Sequence, residues 1–168
     1  MKKILITGSP GSGKTTLSRK LSQRLSLPLH HLDLIYWKPG WQRPDPQEKN
    51  RNIEAILSQE KWIVDGVSER IFDAADTIVF LDVPRPIAYW RLFKRFLTYS
   101  MRKRPEVPDK SSELRILKKA VTVIWHFPKR HRPGILKSIE SVRNVKNVAV
   151  IRSNTELWEW SRELDASL

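Results

Sequence analysis

Short, nearly continuous apolar runs alternate along the chain with longer stretches whose apolar residues recur every three or four positions. The runs lie at Ile4–Thr7, Leu27–Leu32, Trp62–Asp65, Thr77–Leu81 and Val148–Ile151. Each is too short for a helix, and its unbroken apolar character fits a strand buried on both faces. The stretches between them read as helices. Leu17, Leu21 and Leu25 mark one directly after the first run, with Ser18, Arg19, Lys20, Gln23 and Arg24 outward. Asp45-Pro46-Gln47-Glu48 opens another, with Asp45 as cap, Pro46 at the first helical position and Glu48 reaching back, and it runs to about Ser58. A helix from Pro86 sets Ile87, Trp90, Phe93 and Leu97 on one face and Arg91, Lys94, Arg95 and Arg102 on the other. Leu114, Leu117, Val121 and Ile124 define the next, ending near Phe127-Pro128. Pro133 opens one with Ile135, Leu136, Ile139 and Val142 as its buried side. The last follows Asn154 or Thr155, with Leu157, Trp158, Trp160 and Leu164 available to pack. Strands separated by crossover helices predict an α/β fold with a parallel sheet covered on both faces.

Between Arg102 and Ser111 the helical pattern fails at Pro105 and Pro108, leaving a polar, basic loop. No repeat or linker divides the 168 residues, so one domain spanning 1–168 is expected. There is no cysteine, which removes disulfides and cysteine-based zinc sites and points to a reducing, cytoplasmic home. Lys2 and Lys3 precede an apolar stretch that stops at Gly8, too short for a signal peptide. No run approaches the roughly 18 apolar residues of a membrane span, so no membrane partner is expected. The net charge of +13 is unevenly placed: residues 85–152 hold 18 Lys/Arg against 4 Asp/Glu. One segment carries the whole excess, which predicts an anionic partner there, whether nucleic acid, acidic lipid or nucleoside phosphate.

Gly8, Ser9, Pro10, Gly11, Ser12, Gly13, Lys14 and Thr15 fit the phosphate-binding pattern Gly-x4-Gly-Lys-Ser/Thr, placed between a strand and a helix. Its glycines let successive backbone N–H groups turn inward on a polyphosphate, and the helix start adds partial positive charge. Lys14 is then placed to bridge the outer phosphates and Thr15 to ligate Mg²⁺. Trp62-Ile63-Val64-Asp65-Gly66 ends a buried strand in a carboxylate that can hold Mg²⁺ or accept a proton, unless Asp65 only caps the next turn. Asp33, closing His30-His31-Leu32-Asp33, is a candidate to bind an acceptor hydroxyl or act as base, with an N-cap role as the alternative. Adjacent in a strand, His30 and His31 face opposite sides and make no metal pair. Tyr36-Trp37-Lys38-Pro39-Gly40-Trp41 either stacks on a planar acceptor, with Lys38 neutralising phosphate, or packs a loop onto the sheet. Arg70 is either an acceptor contact or a solvated arginine. Arg91 and Arg95 share a helix face before the basic loop Thr98–Lys110, and arginines so placed can close over a phosphoryl group in flight. The lid region is then about 98–132, with Lys129-Arg130-His131-Arg132 its densest basic cluster.

In order, the N-terminal loop, Asp65-Gly66 and the Arg91-x3-Arg95 pair resemble the P-loop nucleoside and nucleotide kinases of the adenylate kinase type. More closely, His31-Leu-Asp33, Trp37-Lys-Pro-Gly-Trp41, Trp62 to Gly66, Ala75-Asp76-Thr77 through Pro84, and Trp125-x-Phe127-Pro128 resemble bacterial DNA topology modulation (FlaR-related) proteins. The resemblance covers about residues 3–135. It implies a three-layer P-loop NTPase fold, with a sheet of five parallel strands in the order 2-3-1-4-5, helices on both faces and a short basic lid. Asp65-Gly66-Val67-Ser68-Glu69-Arg70 moves the arginine one place from the usual Asp-Gly-Phe-Pro-Arg, and no arginine near Asp33 waits for an acceptor phosphate. A hydroxyl-bearing acceptor is favoured on that ground. A GTPase base-reading motif is absent, which favours ATP. The expected protein is a small ATP-dependent phosphotransferase. ATP·Mg²⁺ sits on Gly8 to Thr16, including Thr16; Thr15 and Asp65 organise the metal; Lys14, Asp33, Asp65, Arg91 and Arg95 carry catalysis on a nucleoside, nucleotide or hydroxylated metabolite. The alternative is a nucleic-acid-associated NTP-binding protein gripping phosphate backbone through residues 85–152.

Overall fold

In the computed structural model, residues 1–38, 42–99 and 113–166 are described. Five strands, β1 (Lys3–Gly8), β2 (Leu29–His31), β3 (Trp62–Asp65), β4 (Thr77–Leu81) and β5 (Asn147–Ile151), pair in parallel in the order β2-β3-β1-β4-β5. The helices are α1 (Lys14–Leu25), α2 (Leu32–Tyr36), α3 (Pro46–Leu57), α4 (Glu69–Ala74), α5 (Arg85–Tyr99), α6 (Glu113–Arg130), α7 (Arg132–Val142) and α8 (Asn154–Ala166).

Alternation along the strands divides the core in two. Ile4, Ile6, Ile63, Val79 and Leu81 point to one face, where Leu17 and Leu21 of α1 and Leu164 of α8 cover them. Leu5, Trp62, Val64, Ile78 and Phe80 point to the other, against Ile53 and Ile56 of α3, Phe127 of α6 and Ile139 of α7. Successive side chains of a strand face opposite ways, so a run that is apolar throughout needs helices on both sides. The predicted α/β architecture and strand order are both present.

Several expectations change. Leu27 and Leu32 lie outside β2, which is only three residues long. Asp33 therefore sits in the first turn of α2 rather than at a strand end. The helix expected to stop near Phe127-Pro128 continues to Arg130 with Pro128 inside it. The orientation of α5 is distinctive. Ile87, Trp90, Phe93 and Leu97, its apolar face, are exposed, while Ala88 and Leu92 are buried. Ala88 and Leu92 pack against Ala120 and Ile124 of α6, so α6 lies on α5. Pro39, Gly40, Trp41, Arg102 and the loop over residues 100–110 lie outside the described residues.

Candidate active site

The loop from β1 into α1 takes its shape from glycine. Gly11 has φ +75°, and a Cβ there would come within 2.3 Å of the Ala88 carbonyl oxygen of α5. Gly13, the residue before α1, has φ +101° and offers no side-chain cap, and the first turn of the helix contains no acidic residue. The free N–H groups of that turn are left facing outward, as anion binding requires. Across the loop, the Ser12 N–H donates to the Ser9 carbonyl at 3.2 Å.

Lys14 folds back so that its Nζ donates to the Ser9 carbonyl at 2.9 Å. Burial pushes its pKa below the ordinary lysine value, and Asp65 and Asp33 partly restore it. Arg95 bears on the same amine from α5 and opposes the proton. Both aspartates therefore lie within electrostatic reach of the loop lysine.

Asp65 closes β3 and is almost completely buried. Parallel pairing sets it level with Ile6 of β1 on one side and His31 of β2 on the other. Ser18 of α1, itself fully buried, donates its hydroxyl to Asp65 Oδ2 at 3.2 Å. His31 Nδ1 lies 3.0 Å from the same oxygen, at ion-pair distance, but its angle falls outside hydrogen-bond geometry. Burial alone would raise the Asp65 pKa; His31, Lys14 and the Thr15 hydroxyl outweigh it and hold the carboxyl below its ordinary value. Asp65 is thus a carboxylate, and the turn-capping alternative does not describe its contacts. Gly66, next in the chain, allows close packing: a Cβ there would meet the Leu32 side chain at 2.7 Å.

Asp33 is exposed, in the first turn of α2. His31, not Asp33, holds the N-cap position, and it makes no side-chain cap bond. Asp33 acts on Lys14 from one side and on Lys119 of α6 from the other.

Arg91 reaches the loop itself. Its Nη1 donates to the Ser12 carbonyl at 2.8 Å and its Nη2 to Asn154 Oδ1 at the start of α8, at 2.9 Å. Arg91 and Arg95 are half-buried on the side of α5 that faces the loop. Several basic residues elsewhere have structural partners. Arg132 grips Asp82, just past β4, with two hydrogen bonds of 2.8 Å, which removes it from the arginines expected to close over a phosphate. Arg70 pairs with Glu54 of α3 at 3.3 Å, the solvated reading with one exposed partner. Lys38 pairs with Glu48 at 2.6 Å instead of waiting for phosphate. Trp37 has Lys119 Nζ 3.7 Å from its ring centroid and Arg43 at 5.7 Å, and Lys49 lies 4.6 Å over Tyr36. These contacts favour a packed loop.

Three residues that the sequence did not single out for the site stand in it: His31, Ser18 and Asn154. For His31 the deciding fact is the register of β2 against β3, which sets it level with Asp65. Ser18, expected outward, is instead buried against Asp65, and Asn154 had no signal beyond its place at the start of a helix.

The family model described as an AAA domain matches residues 4–118. Among curated proteins none matches the chain. A sugar kinase from Janibacter sp. HTCC2649, solved without ligand, is similar in structure at 13% identity and a TM-score of 0.46, over 90% of this chain and 85% of its own. Shikimate kinase from Bacteroides thetaiotaomicron is similar at 14% identity and a TM-score of 0.48, over 97% of this chain and 96% of its own.

Proposed function

This chain belongs to the AAA domain family, and we propose that within it the protein is a small ATP-dependent phosphotransferase acting on a hydroxyl of a nucleoside, nucleotide or other small metabolite. The observation that carries the reading is the buried carboxylate of Asp65 in the phosphate-loop site, with a second, exposed carboxylate within electrostatic reach of the same loop lysine. Asp65 is buried and held ionised by His31, Lys14 and Thr15. Asp33 is exposed and also acts on Lys14. A protein that only holds nucleotide needs the first; the second adds a place for an acceptor.

The donor set fits a magnesium nucleotide. Thr15 and Asp65 offer a hydroxyl and a carboxylate, the hard oxygen donors that Mg²⁺ takes, and phosphate oxygens and water complete such a shell. Among the described residues no group of three or more His, Asp or Glu could hold a metal unaided. Bound there, Mg²⁺ would supply neutralisation of charge on the β and γ phosphates. The uncapped first turn of α1 and the residues Gly8 to Thr16 wrap the triphosphate, and Lys14 leaves the Ser9 carbonyl for the outer phosphates. Arg91 keeps the loop in shape. Arg95, beside Lys14, faces the phosphoryl group as it moves. Asp33 orients the acceptor hydroxyl and takes its proton as the new O–P bond forms and the bond to the ADP oxygen breaks. Most of the rate enhancement then comes from positioning and charge stabilisation. The end of the expected lid is anchored, Phe127 in the sheet core and Arg132 on Asp82, so closure over the phosphates falls to the part of residues 98–132 that precedes them.

A second reading rests on the charge of residues 85–152, since Lys94 and Lys118 remain exposed on α5 and α6. In it the protein is a nucleic-acid-associated NTP-binding protein, in line with the resemblance to topology modulation proteins, and transfers little phosphate. Incubation with γ-labelled ATP and a panel of nucleosides, nucleotides and hydroxylated metabolites separates the two. Label transferred by the wild type, but by neither Lys14→Ala nor Asp33→Asn, supports the phosphotransferase. Full transfer by Asp33→Asn removes that residue from the acceptor site. ATP-modulated DNA binding with no transfer to any small molecule favours the second reading.

A further inference from the structure

Together α5 and α6 turn an apolar face to solvent. On α5, Ile87, Trp90 and Phe93 are 41%, 57% and 51% exposed; on α6, Val121 and Trp125 are 40% and 61% exposed. The two helices form one surface. They share a small core of Ala88, Leu92, Ala120 and Ile124, the Tyr89 hydroxyl donates to the Val121 carbonyl at 3.4 Å, and Arg85 lies 5.2 Å over the Trp125 ring. Trp90 and Phe93 stack with centroids 6.5 Å apart, and Lys94 Nζ sits 4.8 Å over Trp90. Single exposed apolar side chains are ordinary; two tryptophans, a phenylalanine and two aliphatic residues on one helix pair make a patch that marks an interaction surface.

Charge selects the occupant. Arg85 and Lys94 of α5 and Lys118 of α6 are exposed beside these apolar residues, and α5 carries no acidic residue. A second copy would bring the same positive charge to the contact, which opposes self-pairing. Single-stranded nucleic acid would satisfy the cations and could stack on Trp90 and Phe93, but it leaves Ile87 and Val121 without a counterpart. An anionic bilayer surface satisfies both. Aliphatic and aromatic side chains enter the headgroup boundary, tryptophan rings favour that depth, and lysine and arginine stems lie along the apolar surface with their charges at acidic headgroups.

We infer that the outer face of α5 and α6 docks reversibly on a bilayer containing anionic lipid. The expectation of no membrane partner considered spans; among the described residues no helix is long and apolar enough to cross a membrane, and a peripheral surface needs none. The inference stands apart from the phosphotransferase reading, since none of the five apolar residues belongs to the nucleotide site.

Co-sedimentation of the full chain with phosphatidylcholine vesicles, with and without roughly 30% phosphatidylserine, tests it at low and physiological salt. The wild type is expected to prefer the anionic vesicles by about tenfold or more at low salt. Lys94→Gln should weaken that association about fivefold. A Trp90→Ser, Phe93→Ser double variant should weaken it on the order of tenfold. ATP binding by each variant, measured alongside, shows that the domain is folded. Absence of wild-type association with anionic vesicles overturns the inference, as does association undiminished by the double variant. Tighter binding to a single-stranded oligonucleotide, lost through the same substitutions, assigns the face to nucleic acid instead. A dimer in sedimentation equilibrium that the double variant dissociates assigns it to a second copy.

Discussion

Replacing Arg91 with alanine distinguishes a residue that shapes the phosphate loop from one that meets the transferring phosphoryl group. Its guanidinium joins the Ser12 carbonyl to Asn154, at 2.8 Å and 2.9 Å, and so ties α5 and the start of α8 to the loop. A hydrogen bond from a charged donor contributes about 1.5–3 kcal/mol net. Because Arg91 is half-exposed and retains hydration, we assign the pair about 1–2 kcal/mol together. For a chain of this length that corresponds to a fall in Tm of about 2–8 °C. The nucleotide must then order the loop itself, so ATP affinity should fall by the same energy, about 5- to 30-fold. Scanning calorimetry of the free protein and titration with Mg²⁺-ATP read the two quantities separately. Arg91→Lys keeps a cation near the phosphates but lacks the fork that spans both acceptors, so it should recover part of the affinity and little of the Tm. The reasoning is refuted if Arg91→Ala keeps wild-type Tm and ATP affinity while turnover collapses. Arg91 would then be a group that acts on the transition state.

Three further outcomes follow from the same geometry. His31→Ala removes the imidazole 3.0 Å from Asp65 Oδ2; magnesium-dependent ATP affinity should drop about 10- to 100-fold, as it does when the partner of a metal-binding side chain is lost, and unchanged affinity in titrations with and without Mg²⁺ would detach His31 from the site. Lys14 in the folded protein loses its proton below the ordinary value of 10.5, because of burial. Free-protein stability should therefore rise with pH between the lowered value and 10.5, and in that window ATP, bringing negative charge, should bind with proton uptake that Lys14→Met abolishes. Calorimetry in two buffers of different ionisation enthalpy measures it. Asp76 accepts the Lys2 and Lys3 N–H groups and the Thr77 hydroxyl; burial alone would raise its pKa, but these donors outweigh it and hold the pKa below 3.8. Its contribution is present above that pH and disappears as pH falls through the depressed value. Asp76→Asn should cost about 1–2 kcal/mol at neutral pH and flatten the acid limb of a stability titration.

The sheet was legible because its strands are apolar on both faces, which makes Trp62–Asp65 and Thr77–Leu81 readable to the residue. Helices of five and six residues were not. α2 and α4 are too short to show a period, and missing α2 placed Asp33 at a strand end when it stands in the first turn of a helix. The phosphate loop could be read from type and spacing alone, since its conformation depends on glycine. The contact between His31 and Asp65 could not, because it depends on the register of β2 against β3. Basic residues were read too generously: nothing local to Lys129-Arg130-His131-Arg132 announces that Arg132 serves Asp82, fifty residues earlier.

The inversion of α5 has a steric cause. An amphipathic helix normally turns its apolar stripe inward because the neighbour is a hydrophobic sheet. The neighbour of α5 is in part the phosphate loop, where Gly11 comes so close that its missing Cβ would lie 2.3 Å from the Ala88 carbonyl oxygen. A backbone approach of that kind admits only a small side chain at Ala88, and the loop carbonyls beside it call for a donor, which Arg91 supplies. Trp90 and Phe93 are excluded from that side by volume. Had Gly11 carried a side chain, the helix would have had to stand further off, and Arg91 could not bridge to Ser12. The closeness that forms the nucleotide loop is therefore also what sends the aromatic stripe of α5 outward, toward whatever surface receives it.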